Sequence, residues 1–336
     1  MLKKELEWLK EPPSQSLQHV LKDLDQAFKN FFRRVKKGGE APGFPRFKSK
    51  GFSDSFRLPE PRQFKVYGEN RKGFVELPKV GRIRFIKSRE LEGRIRNATI
   101  TKTAGNWYIS FNCEVERDIP KNNGSVIGID RGVSHTLMTS EGKIFDLPKE
   151  SLSYWVGRLV QAQRKLSRQK KRSNNWKKLK QRIAKLHHKI TNIRNDFLHK
   201  ASTDIAKNHS CIILEKLKTK NMTKSAKGTV EKPGKNVRSK SGLNKAILMQ
   251  GWHKFQTLLE YKSVWFGSCV NYVKPHYTSQ RCSDCGHISP ENRKSQETFR
   301  CVRCGHSENA DMNAAKNILT GGLPGRACGD VALAGL

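Results

Sequence analysis

The sequence predicts an α/β protein: an RNase H-like mixed sheet with an inserted helical hairpin and a zinc ribbon, preceded by a helical segment and a small antiparallel β-barrel. Three observations predict it. The cysteines include two matched pairs, Cys282/Cys285 and Cys301/Cys304, with two residues inside each pair and fifteen between the pairs. From residue 125 onward the apolar runs follow the order strand, strand, strand, helices, strand, helix, strand, helix. Between 62 and 116 the chain breaks into short β-prone runs separated by Gly, Pro and Asn.

Composition narrows the function. The 336 residues hold 66 Lys and Arg against 30 acids, a formal net charge of +36. Such a surplus repels itself unless a polyanion answers it, and nucleic acid is the first candidate, with a membrane surface as the alternative. No apolar run approaches the ~18 residues of a spanning helix and no signal-peptide apolar region is visible, so a cytoplasmic protein is expected rather than a spanning or secreted one. Eight cysteines, four of them in the paired pattern, suit a reducing compartment. Cys113, Cys211 and Cys269 fall in predicted strands and are expected to be buried thiols. Cys328 lies in a Gly-rich tail and carries no signal.

Taken in order, residues 14–35 form one amphipathic helix, with Leu17, Leu21, Leu24, Phe28, Phe31 and Val35 at helical spacing. Pro12, Pro13 and Ser14 mark its start and Gly38-Gly39 its end. The stripe is expected to be core or helix-packing surface. Residues 41–52, APGFPRFKSKGF, interleave Phe with Arg and Lys, a mixture that suits either base stacking or a solvated basic loop. FKVYG, FVEL, GRIRFI, ATITKT and WYISFNCEV are the strands of the barrel, and Lys121-Asn122-Asn123-Gly124 is a boundary. SVIGID (125–130), HTLMTS (135–140) and KIFDLP (143–148) make an antiparallel meander.

Residues 152–200 are two helices broken at Ser173-Asn174-Asn175. Leu152, Trp155, Leu159, Ala162 and Leu166 on one, and Trp176, Leu179, Ile183, Leu186, Ile190, Ile193 and Phe197 on the other, share an apolar seam. The other faces are nearly unmixed in charge: residues 158–200 hold fifteen Lys or Arg and one acid, Asp196. A soluble helix ordinarily mixes signs, so Arg164, Lys165, Arg168, Lys170, Lys171, Arg172, Lys177 and Lys178, around the tip of the hairpin, are candidate nucleic-acid contacts. CIILEKL (211–217) is a buried strand, 218–242 a mobile basic loop, 243–267 a core helix bearing Leu248, Trp252, Phe255 and Leu259, and CVNYVKP (269–275) a further strand.

Two kinds of metal chemistry follow. A CxxC turn aims two thiolates at one point, and two such turns, each followed by a glycine (Gly286, Gly305), complete the four soft ligands of a structural Zn²⁺ at Cys282, Cys285, Cys301 and Cys304. Asp130 ends the first strand of the sheet, Glu215 ends the fourth, and Asp311 opens the last helix. In an RNase H-like arrangement these points converge. Clustered carboxylates repel unless cations fill the space, and hard oxygen donors suit Mg²⁺ or Mn²⁺, two of which can clamp both sides of a phosphodiester. Taken singly each signal is weak. A GIDxG strand end also occurs in actin-like ATPases, but those need a second phosphate-binding Gly-rich turn and a partner domain of similar size, and neither is present. A basic module that holds nucleic acid without cutting it is the remaining alternative.

GIDRG (128–132), IILEKLKTKNM (212–222), TSQRCSDCG (278–286), FRCVRCG (299–305) and ADMNAAKNIL (310–319) resemble the RuvC-like and zinc-ribbon motifs of the TnpB (OrfB) family, transposon-encoded proteins related to compact type V CRISPR nucleases. The resemblance runs from about residue 14 to 325. It implies a metal-dependent DNA endonuclease that takes a guide RNA from the transposon end, with DNA as target. It assigns the catalytic acids to Asp130, Glu215 and Asp311 and the zinc ligands to the four ribbon cysteines. It also divides the chain: a partial helical recognition lobe (1–60), a wedge-like barrel (61–122), a RuvC-like core (123–275) with the basic hairpin at 152–200, the ribbon (276–307), the last RuvC-like helix (308–321) and a flexible tail (322–336). The family begins with a strand and helices ahead of the segment matching 14–35, so the resemblance implies an N-terminally shortened chain whose Leu21, Leu24, Phe28 and Phe31 are left exposed. A shortened chain of this kind would cleave weakly or serve only as a nucleic-acid-binding remnant.

Overall fold

In the computed structural model, which describes residues 2–38, 42–47 and 54–323, the chain separates into two units, Met1–Arg117 and Asp118–Leu336. The expectations for Gly39, Ala41, residues 48–52, Cys328 and all but the first two residues of the Gly-rich tail lie outside the described residues.

In the first unit, a short helix α1 (Leu2–Glu5) precedes α2 (Ser14–Lys37), whose stripe is only partly covered. Leu21, Leu24 and Val35 are exposed, while Phe28 and Phe31 pack edge-on against Phe44. The stripe is thus not core along much of its length: Leu21 and Leu24 are exposed, as a shortened chain implies, whereas Phe28 and Phe31, expected to be exposed with them, are half-covered by Phe44. Six strands follow: β1 (Ser55–Leu58), β2 (Lys65–Tyr67), β3 (Lys72–Leu77), β4 (Gly81–Ile86), β5 (Arg94–Thr103) and β6 (Asn106–Glu114). They form two three-stranded antiparallel sheets, β1-β5-β6 and β2-β3-β4. Leu58, Phe64, Val75, Leu77, Ala98 and Ile100 are buried together as their core. Strand β1 lies ahead of the runs read as strands, because Pro59 and Pro61 disguise it as loop.

The second unit is built on five strands: β7 (Ser125–Asp130), β8 (Leu137–Thr139), β9 (Ile144–Phe145), β10 (His209–Glu215) and β11 (Cys269–Val273). Their order is β11-β10-β7-β8-β9, with β7, β8 and β9 antiparallel and β10 parallel to both β7 and β11. Helices α3 (Lys149–Ser167) and α4 (Asn174–Asn208) make the hairpin, closed by Leu152, Leu159, Ala162, Leu186 and Ile190. Ser173 caps α4 by accepting a bond from Trp176 N at 3.2 Å. Then come α5 (Thr219–Met222), α6 (Val237–Gln250), α7 (Trp252–Trp265), the hairpin β12 (Thr298–Arg300) with β13 (Ser307–Asn309), and α8 (Ala310–Gly322).

Successive residues of a strand point to opposite faces, and that alternation places the site. Ile127 and Ile129 of β7, with Ile212 and Leu214 of β10, join Leu198, Ile205, Phe255 and Leu259 of α4 and α7 in the main core. The intervening residues face α8: Ile213 packs with Val273 and Ile318. A Cβ on Gly128 would stand 2.3 Å from Ala315 O and 2.5 Å from Leu319 N, so only glycine lets α8 lie directly on β7. By the same alternation Asp130 and Glu215 belong to the α8 face.

Three expectations are corrected. The helix read over 243–267 is two helices, broken at Gly251 with φ +72°, and Leu248 is exposed rather than core. The basic loop read over 218–242 ends early, because α6 starts at Val237 and is tied back by Lys240 Nζ on Met222 O (2.6 Å) and Asn244 Nδ2 on Thr223 O (2.9 Å). Cys113 and Cys211 are half-buried and Cys269, on the edge strand β11, is exposed, so the expectation of buried thiols fails there. No helix is long and apolar enough to cross a membrane among the described residues.

Candidate active site

Asp130 is the last residue of β7, Glu215 the last of β10, and Asp311 stands in the first turn of α8. Asn309 fixes that turn: its Oδ1 accepts from Asp311 N at 3.0 Å and Met312 N at 3.2 Å. Glu215 and Asp311 are buried, at 7% and 6% exposure, which is costly for charged groups without partners. Burial, then the charges of Glu215 and Asp311, push the Asp130 carboxyl up to about 7, while Arg293 opposes the rise. The three carboxylates thus share one field. The four ribbon thiols form a second cluster, with ligand atoms all within 4.8 Å of one another.

Other side chains complete the site, and sequence reasoning missed them. Arg293, from the segment between the cysteine pairs, donates from Nη2 to Asp311 Oδ1 at 3.0 Å. Thr278 Oγ1 donates to Glu215 Oε1. The buried Arg131 donates to the Glu215 carbonyl, tying the ends of β7 and β10 together. Gln250 holds the loop after β7, accepting from Thr136 Oγ1 at 2.8 Å and donating to Val133 O at 3.4 Å. Thr278 and Arg131 had a visible signal, their places in the TSQRC run before the first thiol and in the GIDRG run.

The ribbon is two matched knuckles. Cys282 N donates to His287 O and Gly286 N to Cys282 O; Cys301 N donates to His306 O and Gly305 N to Cys301 O. The sulphur pairs Cys282–Cys304 and Cys285–Cys301 are 3.7 and 3.6 Å apart. Four thiolates around Zn²⁺ at Zn–S of about 2.3 Å stand about 3.8 Å apart, so the thiols fit that ion. Asn292, 1% exposed, is the internal brace: Nδ2 donates to Gln280 O and His287 O, and Oδ1 accepts from Val302 N. Asn313 and Asn317 of α8 both donate to Arg281 O, and Asn313 also accepts from Ser283 N, so the ribbon is keyed onto the helix that carries Asp311.

Arg164, Lys165, Arg168, Lys170, Lys171, Arg172, Lys177 and Lys178 are all exposed, on the last turns of α3, the connecting loop and the first turn of α4. The structure gathers them at one end of the hairpin.

The chain is similar to known proteins over nearly its whole length. A family model described as "Probable transposase" matches residues 110–226, and one described as "Cas12f1-like, TNB domain" matches 252–318. The "Putative RNA-guided DNA endonuclease InsQ" of Escherichia coli (strain K12) is 47% identical over 98% of this chain and 80% of its own length. A "Putative RNA-guided DNA endonuclease" of Streptomyces pristinaespiralis is 31% identical over 97% of this chain and 76% of its own. In fold, the chain matches a protein of a "Cas12f1-sgRNA-target DNA complex" with a TM-score of 0.55 and 15% identity, over 88% of this chain and 69% of that one. With 47% and 31% identity running over nearly the whole chain, the chain belongs to the TnpB (OrfB) family.

Proposed function

We propose that this chain is a transposon-associated, RNA-guided DNA endonuclease whose Asp130, Glu215 and Asp311 hold divalent ions, Mg²⁺ or Mn²⁺, for phosphodiester hydrolysis by two-metal-ion catalysis. The observation that carries this is the meeting of three carboxylates on the α8 face, where Asp130 is raised to about 7 by burial and by the other two. Such a cluster is unfavourable without cations, and perturbed acids of this kind mark working sites. Relatives named as RNA-guided DNA endonucleases at 47% and 31% identity support the same reading.

Ions bound there would supply a water nucleophile at neutral pH and stabilise the leaving 3′ oxygen. The chain's own part is to aim the oxygens. Strand alternation points Asp130 and Glu215 to one face, the Asn309 cap fixes Asp311, and Thr278 and Arg293 occupy the neighbouring carboxylate oxygens. The β11-β10-β7-β8-β9 sheet is read as RNase H-like and the six strands of the first unit as a wedge-like barrel. The four thiols are read as a structural zinc site, and the exposed cations of the hairpin as contacts to guide RNA and DNA, sequence-independent because they meet phosphates.

The test is to express the chain together with its transposon-end transcript, sequence the RNA that purifies with it, and offer DNA matching that RNA in Mg²⁺. Guided cleavage is expected, abolished by Asp130→Ala, Glu215→Ala or Asp311→Ala with nucleic-acid binding kept. RNA retention without cleavage by the unmutated chain, across a library of flanking sequences, would make it a binding module.

A further inference from the structure

We infer that Thr278 is a positioning residue for Glu215, acting as the arm by which the zinc ribbon sets the geometry of the carboxylate cluster. The inference rests on the nuclease reading above. The Thr278 hydroxyl donates to Glu215 Oε1 at 2.5 Å, leaving Oε2 and one lone pair of Oε1 for an ion. A carboxylate at a strand end swings about two side-chain torsions and a carboxyl rotation. A hydrogen bond from a separate element removes that freedom, and partners of this kind orient metal-binding carboxylates.

The backbone around Thr278 is built for the task. Tyr277, immediately before it, has φ +63°, a left-handed conformation uncommon for an aromatic residue, and its side chain is exposed, so no burial of the ring explains the conformation. What the turn achieves is a tight reversal, with Gln280 N and Arg281 N both donating to Tyr277 O. That reversal presents the Thr278 hydroxyl to Glu215 and its carbonyl to α8. Asn317 Nδ2 donates to Thr278 O at 3.0 Å and to Arg281 O at 2.7 Å, and Asn313 Nδ2 to Arg281 O at 2.8 Å. Cys282, the next residue, opens the first knuckle. One short segment thus joins the thiol cluster, the helix of Asp311 and the side chain of Glu215.

The experiment titrates Mn²⁺ into the full, zinc-loaded chain free of nucleic acid, read by electron paramagnetic resonance, for the unmutated protein and for Glu215→Gln, Thr278→Val, Thr278→Ala and Thr278→Ser. Glu215→Gln should weaken Mn²⁺ binding, Thr278→Val and Thr278→Ala should each weaken it about tenfold, and Thr278→Ser should stay within about twofold of the parent. Zinc content should be equal throughout, and in guided cleavage the two hydroxyl-free variants should need more Mg²⁺ for half-maximal rate. If Thr278→Val does not fold, Thr278→Ala against Thr278→Ser carries the comparison. Affinity unchanged in the hydroxyl-free variants, or lost equally in Thr278→Ser, overturns the positioning role while leaving the nuclease reading intact. Mn²⁺ binding indifferent to Glu215→Gln overturns the metal assignment and the positioning role with it.

Discussion

Arg293 Nη2 lies 3.0 Å from Asp311 Oδ1, so the segment between the two cysteine pairs delivers a cation onto a buried carboxylate of the cluster. The pair is largely shielded, with side-chain exposures of 18% and 9%. Removing one partner leaves the other uncompensated, and Arg293→Ala should destabilise the ion-free protein by about 2 kcal/mol, below the ~3–5 kcal/mol of a fully buried pair. If Asp311 holds a catalytic ion as proposed, the guanidinium beside it would also face the reacting phosphate, and guided cleavage should then fall about 100-fold, with Arg293→Lys intermediate. Urea unfolding and single-turnover cleavage measure the two effects. Unchanged values in both would reduce the contact to a surface ion pair.

Asp130 gives a pH signature. Its carboxyl is raised from 3.8 to about 7, first by burial and then by Glu215 and Asp311. The folded value lies above the unfolded one, so the neutral form is favoured in the fold. The stability this group contributes is fully present below about pH 4 and is lost as pH rises through about 7. Asp130→Asn removes the titration. Without divalent ions it should match the parent in acid and exceed it near pH 8 by about 2–4 kcal/mol, three pKa units being about 4 kcal/mol. Adding Mg²⁺ should raise the melting temperature of the parent near pH 8 and leave Asp130→Asn unmoved. A difference between the two that is constant with pH would mean that Asp130 titrates normally.

Much of the site was legible because its signals are local. The CxxC-Gly spacing defines each knuckle within a few residues, and Gly286 (φ +74°) and Gly305 (φ +77°) adopt the turn it implies. Period-2 alternation in SVIGID and CIILE already puts residues 130 and 215 on the face of Gly128, opposite Ile127, Ile129, Ile212 and Leu214. What escaped depends on partners distant in sequence. Arg293 looks like an ordinary surface residue until folding brings it to Asp311, eighteen positions away, and Thr278, though inside the TSQRC run, shows no link to Glu215, sixty-three positions away, before folding. The break at Gly251 was hidden because Leu248, Trp252, Phe255 and Leu259 keep helical spacing across it, although Leu248 turns outward. Cys269 read as a buried thiol because it falls in a predicted strand, whereas the edge position of that strand decides its exposure.

The thiol geometry predicts one tightly held zinc, with sulphur pairs 3.7 and 3.6 Å apart. Protein purified without added metal should carry about one equivalent of zinc, as four-thiolate sites do. Stripping it should loosen 276–307 first, and with it the bonds from Asn313 and Asn317 to Arg281. Proteolysis of the stripped chain should therefore begin within the ribbon, and guided cleavage should be lost until Zn²⁺, not Mg²⁺, is returned. A stripped chain that resists proteolysis there and cleaves normally would show that the ribbon needs no metal.

The tip of the α3–α4 hairpin tests where affinity comes from. Lys170, Lys171, Arg172, Lys177 and Lys178 are exposed there, and the one acid between residues 158 and 200, Asp196, is paired with Lys200 at 2.8 Å, more than four helical turns along α4. Among the described residues no acid is paired with these five cations, so any that meet a phosphate release counterions on binding. Replacing all five by Gln should weaken binding of guide RNA and of DNA with little dependence on sequence. Each phosphate contact removed should flatten the slope of log K against log salt by about 0.7–0.9. The fold should be untouched, because the apolar seam of Leu152, Leu159, Leu186 and Ile190 lies on the other side of the helices. The slope is the decisive quantity: if affinity falls while the slope stays, the tip acts indirectly, and if neither moves, it faces solvent in the complex.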